Sequence, residues 1–245
     1  MTDYLKKVHG VLSDIATGSV PLVRTYSDRR VSEILSINSA LRIIQEILND
    51  EQALSETAAH SYTHTNGFDK FTLLSSREPE FKLRLHAWWP NSNYDKSGEF
   101  IHNHRWCFRS TTLCGSVHVE TFTQRNGGKP MYHHEYRPRD AAKETYGLTV
   151  VGRSSLVSDM MLTLVPGSTY TMGPDLLHRV IQASDTATVT LFVRWATIQP
   201  TASVFAESPI LDEGILSVPS FTIDELRSKL QGVVAVLGRR KLDGC

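Results

Sequence analysis

Three histidines carry the chemistry that can be read from this chain. Residues 100 to 115 read F-I-H-N-H-R-W-C-F-R-S-T-T-L-C-G, so His102 and His104 stand two positions apart. On a strand that spacing sends both imidazoles to one face. Further on, the run G-S-T-Y-T-M-G-P-D-L-L-H from Gly167 supplies a tight turn followed by His178. Neutral imidazole nitrogen suits iron, copper, nickel and zinc, and three such ligands on one side of an ion leave its other positions open for reaction. The competing reading is a pair of surface histidines on an edge strand; the second motif and its histidine favour the metal.

Bringing these segments together requires a particular set of elements. Leu5, Val8, Leu12 and Ile15 recur at helical spacing, as do Ile34, Ile37, Leu41, Ile44 and Leu48, with Ser32 as a cap for the second helix. From about residue 70 the period changes to two: Leu83, Leu85 and Ala87 alternate with Lys82, Arg84, His86 and Trp88. Further strand-like runs cover 108 to 113, 116 to 123, 160 to 165 and 187 to 195, separated by turn chemistry such as Asn126-Gly127-Gly128 and Pro166-Gly167. Many short strands in series predict a sandwich or barrel. With Pro200, Pro209 and Pro219, residues 198 to 220 read as an extended arm, and Thr222 with Glu225 forms a capping box for a last helix. The expected organisation is a helical region at 1–65 packed on a barrel at 66–197, then the arm and C-terminal helix at 198–245.

At these residues the sequence resembles the cupin superfamily. His102, His104 and Gly115 fit its first motif; Gly167, His178 and, loosely, Gln182 fit its second. Phe108 or Arg109 stands where the first motif has a glutamate ligand, and Gly173-Pro174-Asp175 replaces the P-x-G of the second. The resemblance implies a mainly β fold, a double-stranded β-helix (jelly-roll) barrel, carrying a three-histidine site. Within cupins the chain is similar to the thiol dioxygenases, cysteine dioxygenase among them, through I-H-N-H followed by C-F, then Gly115 and E-T-F, and later Leu177-His178-Arg179-Val180. That likeness covers roughly residues 80 to 195.

The resemblance implies a mononuclear iron(II) site, or another divalent transition metal, in which His102, His104 and His178 bind the ion and a small anionic, amino-acid-like or thiol substrate reacts with O2. Cys107 matches a cysteine that in that family can crosslink to a tyrosine, but the strand T-V-T-L-F-V-R-W offers Phe192 and Arg194 where the tyrosine would stand, or Val193 and Trp195 if the register slips by one. The family's carboxylate-binding arginine also has no counterpart, its neighbourhood being Phe71-Thr72-Leu73. The pocket face of the matching family strand corresponds to Arg84, His86 and Trp88, and Arg84 or Arg194 can grip a carboxylate through a bidentate fork. Strand parity turns both arginines toward the histidines, with no acid on either face as read over 82–88 and 187–195. Tyr170 reads as core, and His133 and His134, being adjacent, read as surface loop residues. Two further readings are a metal-dependent cupin with non-oxidative chemistry, an isomerase or decarboxylase, and a ligand-binding cupin without turnover.

Composition narrows the partners. At 245 residues and 27.5 kDa, 40% hydrophobic, the chain has enough for one good core. Lys and Arg total 26, as do Asp and Glu, so the net charge is zero and no basic surplus marks a nucleic-acid or membrane partner. A small, roughly neutral ligand or a protein partner fits the balance better. The start, MTDYLKKVHG, has no apolar core like that of a signal peptide, and no run of about 18 apolar residues occurs. A cytoplasmic protein is expected, with Cys107, Cys114 and Cys245 as free thiols.

Overall fold

The computed structural model describes residues 1–17, 28–90, 100–140, 145–183, 185–210 and 215–242. Helices α1 (Asp3–Thr17), α2 (Arg29–Ile34), α3 (Ile37–Leu48) and α4 (Glu51–Ala59) precede twelve strands, and α5 (Ile223–Leu242) follows them. The strands are β1 (Tyr62–Thr63), β2 (Asp69–Arg77), β3 (Glu80–Trp88), β4 (Ile101–His102), β5 (Trp106–Cys114), β6 (Val117–Asp140), β7 (Thr145–Leu164), β8 (Thr169–Met172), β9 (Leu177–Gln182), β10 (Thr188–Thr197), β11 (Ala202–Ala206) and β12 (Ile215–Ser217). Among the described residues no helix is long and apolar enough to cross a membrane.

The expected mainly β class is what the chain adopts. Two six-stranded sheets run β1-β2-β3-β10-β5-β8 and β11-β4-β9-β6-β7-β12, and every pairing is antiparallel. Within them β3-β10-β5-β8 and β4-β9-β6-β7 give the strand order of a jelly roll, the fold of cupin barrels. Chain neighbours in this order mostly lie in different sheets, which is how segments distant in sequence meet at one site.

The first sheet has two unlike faces. Leu83, Leu85 and Ala87 of β3 and Val189, Leu191 and Val193 of β10 point outward into a core shared with Leu5, Leu12, Ile43, Ile44, Leu226 and Leu230 of the helices. Strand alternation turns the intervening Arg84, His86 and Trp88 of β3 and Thr190 and Phe192 of β10 into the barrel. Helix α5 starts as expected: the Glu225 N–H donates to Thr222 Oγ1 (3.2 Å) and the Thr222 N–H donates to Glu225 Oε2 (2.8 Å).

Several expectations are corrected. The single helix read across residues 34 to 48 is broken, because Ser36 caps α3 by accepting from the Ser39 N–H (3.2 Å) and Asp28 caps α2. Ser32 lies within α2 and accepts from Arg109 Nη2 (2.8 Å) instead of capping. The runs at 116–123 and 160–165 belong to one long β6–β7 ribbon. Gln124 and Lys129 both oppose Leu156, so Asn126-Gly127-Gly128 forms a bulge within β6 and not a turn that separates strands. Gly128 is required there, since a Cβ would come 2.5 Å from the Leu156 carbonyl oxygen. The extended arm also contains paired strands: β11 joins β4 and the outer half of β6, and β12 joins β7. Those pairings satisfy backbone groups that proline-rich text alone left unassigned.

Candidate metal centre

His102, His104 and His178 converge. Their candidate ligand atoms all lie within 4.8 Å of one another. Ring centroids are separated by 4.9 Å between His102 and His104, 4.7 Å between His102 and His178, and 5.1 Å between His104 and His178. His102 and His178 face each other directly across the β4–β9 pair. His178 is only 2% exposed, which excludes a surface histidine.

The means of convergence differs from the expected shared strand face. β4 ends at His102, so His104 lies in the coil leading to β5. Hydrogen bonds hold that coil in place of a ladder. The Asn103 N–H donates to the Ser203 carbonyl (3.1 Å), and the Ser203 N–H donates to Asn103 Oδ1 (2.7 Å). Gln199 Nε2 donates to the carbonyls of His104 (2.7 Å) and Pro174 (3.1 Å), tying the His104 coil to the turn before His178. The imidazole of His104 stacks on Trp106 at 5.4 Å and 17°.

Protonation states suit ligation. Burial lowers the pKa of all three histidines, that of His178 to about 3, so each ring is neutral near pH 7. His102 Nδ1 lies 2.8 Å from the Phe100 carbonyl and His178 Nδ1 lies 3.0 Å from the Leu176 carbonyl. A carbonyl only accepts, so in both rings Nδ1 carries the proton and Nε2 keeps its lone pair for another partner. This is how metal-bound histidines are commonly oriented.

The histidines border a cavity of about 150 Å³ walled by the inner face of the first sheet. Arg84, His86 and Trp88 all line it, as β3 parity required. Burial lowers the pKa of Arg84 to about 10 and that of His86 well below its ordinary value. The Nε of Arg84 and the Nε2 of His86 are buried without a hydrogen-bond partner. Arg194 departs from expectation. It is 5% exposed, does not line the cavity, and forms an ion pair with Glu80 at 2.5 Å while donating to the Trp195 carbonyl at 3.0 Å. Glu80 opens β3 on the same face as Arg84, just before the stretch read as 82 to 88, so the supposed lack of an acid was an error of strand length.

Other residues of the cavity were missed. Lys70 pairs with His86 in the β2–β3 ladder, lines the cavity and donates to Tyr62 Oη (3.0 Å). His64, Phe68, Arg105 and Trp106 line it too, and so does Tyr170, which had read as core. Extending the alternation of β3 to its antiparallel partner would have found Lys70. Nothing local marks Arg105. Cys107 sits on the opposite side of the sheet, in the core shared with the helices. Neither Cys107 nor Cys114 is in a disulfide, and Cys245 lies outside the described residues. His133 and His134 are strand residues of β6, not loop residues; His134 is fully buried and its Nε2 accepts from the Ile210 N–H (3.1 Å).

No protein-family model matches the sequence, and comparison with curated proteins finds no match. Among solved structures the chain is similar to hydroxypropylphosphonic acid epoxidase from S. wedmorenis (TM-score 0.36, 10% identity, 56% of this chain and 54% of that one). It is also similar to a structure of DMSP lyases (0.30, 15%, 53% and 47%) and to hydroquinone 1,2-dioxygenase from Sphingomonas sp. TTNP3 with 4-hydroxybenzoate bound (0.32, 8%, 51% and 64%). The chain spans less than two thirds of each, about half of the first two. Likeness this distant carries nothing about chemistry, and the strand order of the two sheets stands by itself.

Proposed function

We propose that the protein is a metal-dependent oxidoreductase in which His102, His104 and His178 hold one divalent transition-metal ion, iron(II) first among them, and a small anionic substrate reacts with O2. The observation that carries this reading is the convergence of three neutral imidazoles, two with Nδ1 committed to carbonyls, at the wall of a cavity. The donor set fits the ion: three nitrogens without a carboxylate suit a borderline transition metal better than magnesium or calcium. Bound there, iron(II) supplies one-electron chemistry with O2 and keeps its full formal charge, since no ligand is anionic.

The chain's own residues do the positioning. Arg84 offers a buried, unpartnered Nε to an anion, and His86 and Trp88 shape the wall beside it. The neutral His86 can accept or donate one hydrogen bond but adds no charge. Rings of Phe108 and Phe192, 4.8 Å apart, exclude water from the inner wall. Dry surroundings strengthen the attraction of an anion for Arg84.

Elemental analysis of protein purified without added metal, followed by oxygen-electrode measurements after iron(II) loading, tests the reading. Iron near one per chain and oxygen uptake with an added acid support it. Metal binding with substrate turnover but no oxygen uptake would instead favour Lewis-acid chemistry at the same ion.

A further inference from the structure

We infer that the ligand of this cavity is a planar aromatic acid that bears no ammonium group. The inference rests on the anionic-substrate reading above and narrows it to a chemical class. Charge is the first observation. Lys70, Arg84 and Arg105 line the cavity, and among the described residues no aspartate or glutamate does. Asp69 is committed elsewhere, accepting from Trp89 Nε1 at 2.6 Å and Lys229 Nζ at 2.7 Å, and Glu80 is held by Arg194. A bound anion is favoured here. The ammonium of an α-amino acid would have no carboxylate partner and would stand among like charges, so it would be bound only after losing its proton.

Hydrogen-bonding capacity is the second observation. The Nε atoms of Arg84 and Arg105 and the indole Nε1 of Trp106 are buried without partners. None of these groups can accept a hydrogen bond, so each calls for an acceptor, which a ligand oxygen supplies. Their grouping on residues that line one cavity favours a ligand whose polar end is rich in oxygen.

Shape is the third. The wall carries several rings: Phe68 lies 4.9 Å from Trp88, Phe108 lies 5.8 Å from Tyr170, and Trp106 takes the guanidinium of Arg84 over its ring at 5.8 Å. Rings present flat faces and edges, and offset or edge-to-face contacts favour another ring over a flexible chain. The acid group then meets Arg84 and Trp106 while the ring lies along Phe68, Trp88 and Phe192.

Calorimetric titration of the metal-loaded protein with three probes tests this: 3-phenylpropionate, L-phenylalanine, which adds only an ammonium, and 3-cyclohexylpropionate, which removes only planarity. The expected order places 3-phenylpropionate at least about tenfold tighter than either. Arg84→Met should weaken it by about tenfold or more and leave the amino acid unimproved. If the Arg84 variant does not fold, Trp106→Phe removes one donor while keeping a ring and should weaken the acid several-fold. Equal binding of L-phenylalanine or of the cyclohexyl acid, no binding of any probe, or unchanged affinity in a folded variant overturns the inference. Repeating the titration after chelation separates it from the metal reading: a chain that takes up no metal but ranks the acids as stated refutes the ion and keeps the ligand class.

Discussion

The two faces of β3 follow opposite rules. Leu83, Leu85 and Ala87 are fully buried against the helices. Arg84 and His86, on alternate positions, turn into the barrel and leave buried nitrogens without partners. An apolar face fills its volume with side chains, while a face made for a ligand leaves space and hydrogen-bonding groups for its occupant. The same nine-residue strand therefore holds a structural surface and a functional one, separated only by the period of the backbone.

Substitutions on the two sides should separate stability from chemistry. The largest effect is expected from His178→Ala, which removes a nitrogen from the triad: bound metal should fall to background and turnover with it. Circular dichroism should still report the barrel, because the core residues around β3 and β10 are untouched. Unchanged metal stoichiometry in this variant would remove His178 from the site.

Leu85→Ala should do the reverse. Its side chain is fully buried in the shared core, and deleting it should lower stability by about 3 kcal/mol. Metal per folded chain should stay at the parent value. A loss of metal in parallel with stability would show that the two faces are coupled through the strand.

Glu80→Gln comes next. The pair with Arg194 is buried on one side, and Glu80 is 33% exposed, so the loss should be nearer about 2 kcal/mol than the value for a fully buried pair. Burial opposes ionisation of Glu80, but the Thr197 N–H and Arg194 outweigh it and hold its pKa below the ordinary 4.5. A depressed carboxylate pKa stabilises the fold above the unfolded value and ceases to do so as pH falls through the folded one. Denaturation curves of parent and variant should therefore lie apart at pH 7 and approach each other as pH drops below 4.5. Curves that stay parallel through that range would mean the pair does not form in solution.

Legibility in the sequence followed the range of the interactions. The alternation of residues 82 to 88 was readable because it is local, and it placed Arg84, His86 and Trp88 correctly on the cavity side. The H-x-H pair and the turn before His178 were readable as text. Arg194 was not, because its partner Glu80 is 114 positions away and meets it only through the β3–β10 pairing. Lys70 and Arg105 escaped for the same reason. The proline-rich arm hid two strands, since β11 is defined by its neighbours β4 and β6 and not by any period of its own.

The smallest effect is expected where the sequence reading failed most instructively, at Asn103. Strand parity was supposed to aim His102 and His104 together, yet β4 stops at His102 and the coil that follows is shaped by its own hydrogen bonds. Asn103 uses both its backbone N–H and its side-chain Oδ1 on Ser203 of β11, at 3.1 and 2.7 Å. Asn103→Ala keeps the first bond and deletes the second, leaving the Ser203 N–H to find water. One hydrogen bond at a half-buried position is worth about 1 kcal/mol, a minor loss for a domain of this size. Its consequence for His104 should be larger in proportion, because supporting contacts behind a metal ligand set affinity by about tenfold or more. The expected signature is therefore a melting temperature close to the parent's combined with weaker retention of metal against a competing chelator. That pattern is the mirror image of Leu85→Ala. If Asn103→Ala holds metal as tightly as the parent, the contacts of Gln199 with His104 and Pro174 are sufficient to fix the coil, and the double variant Asn103→Ala/Gln199→Ala should then show the loss.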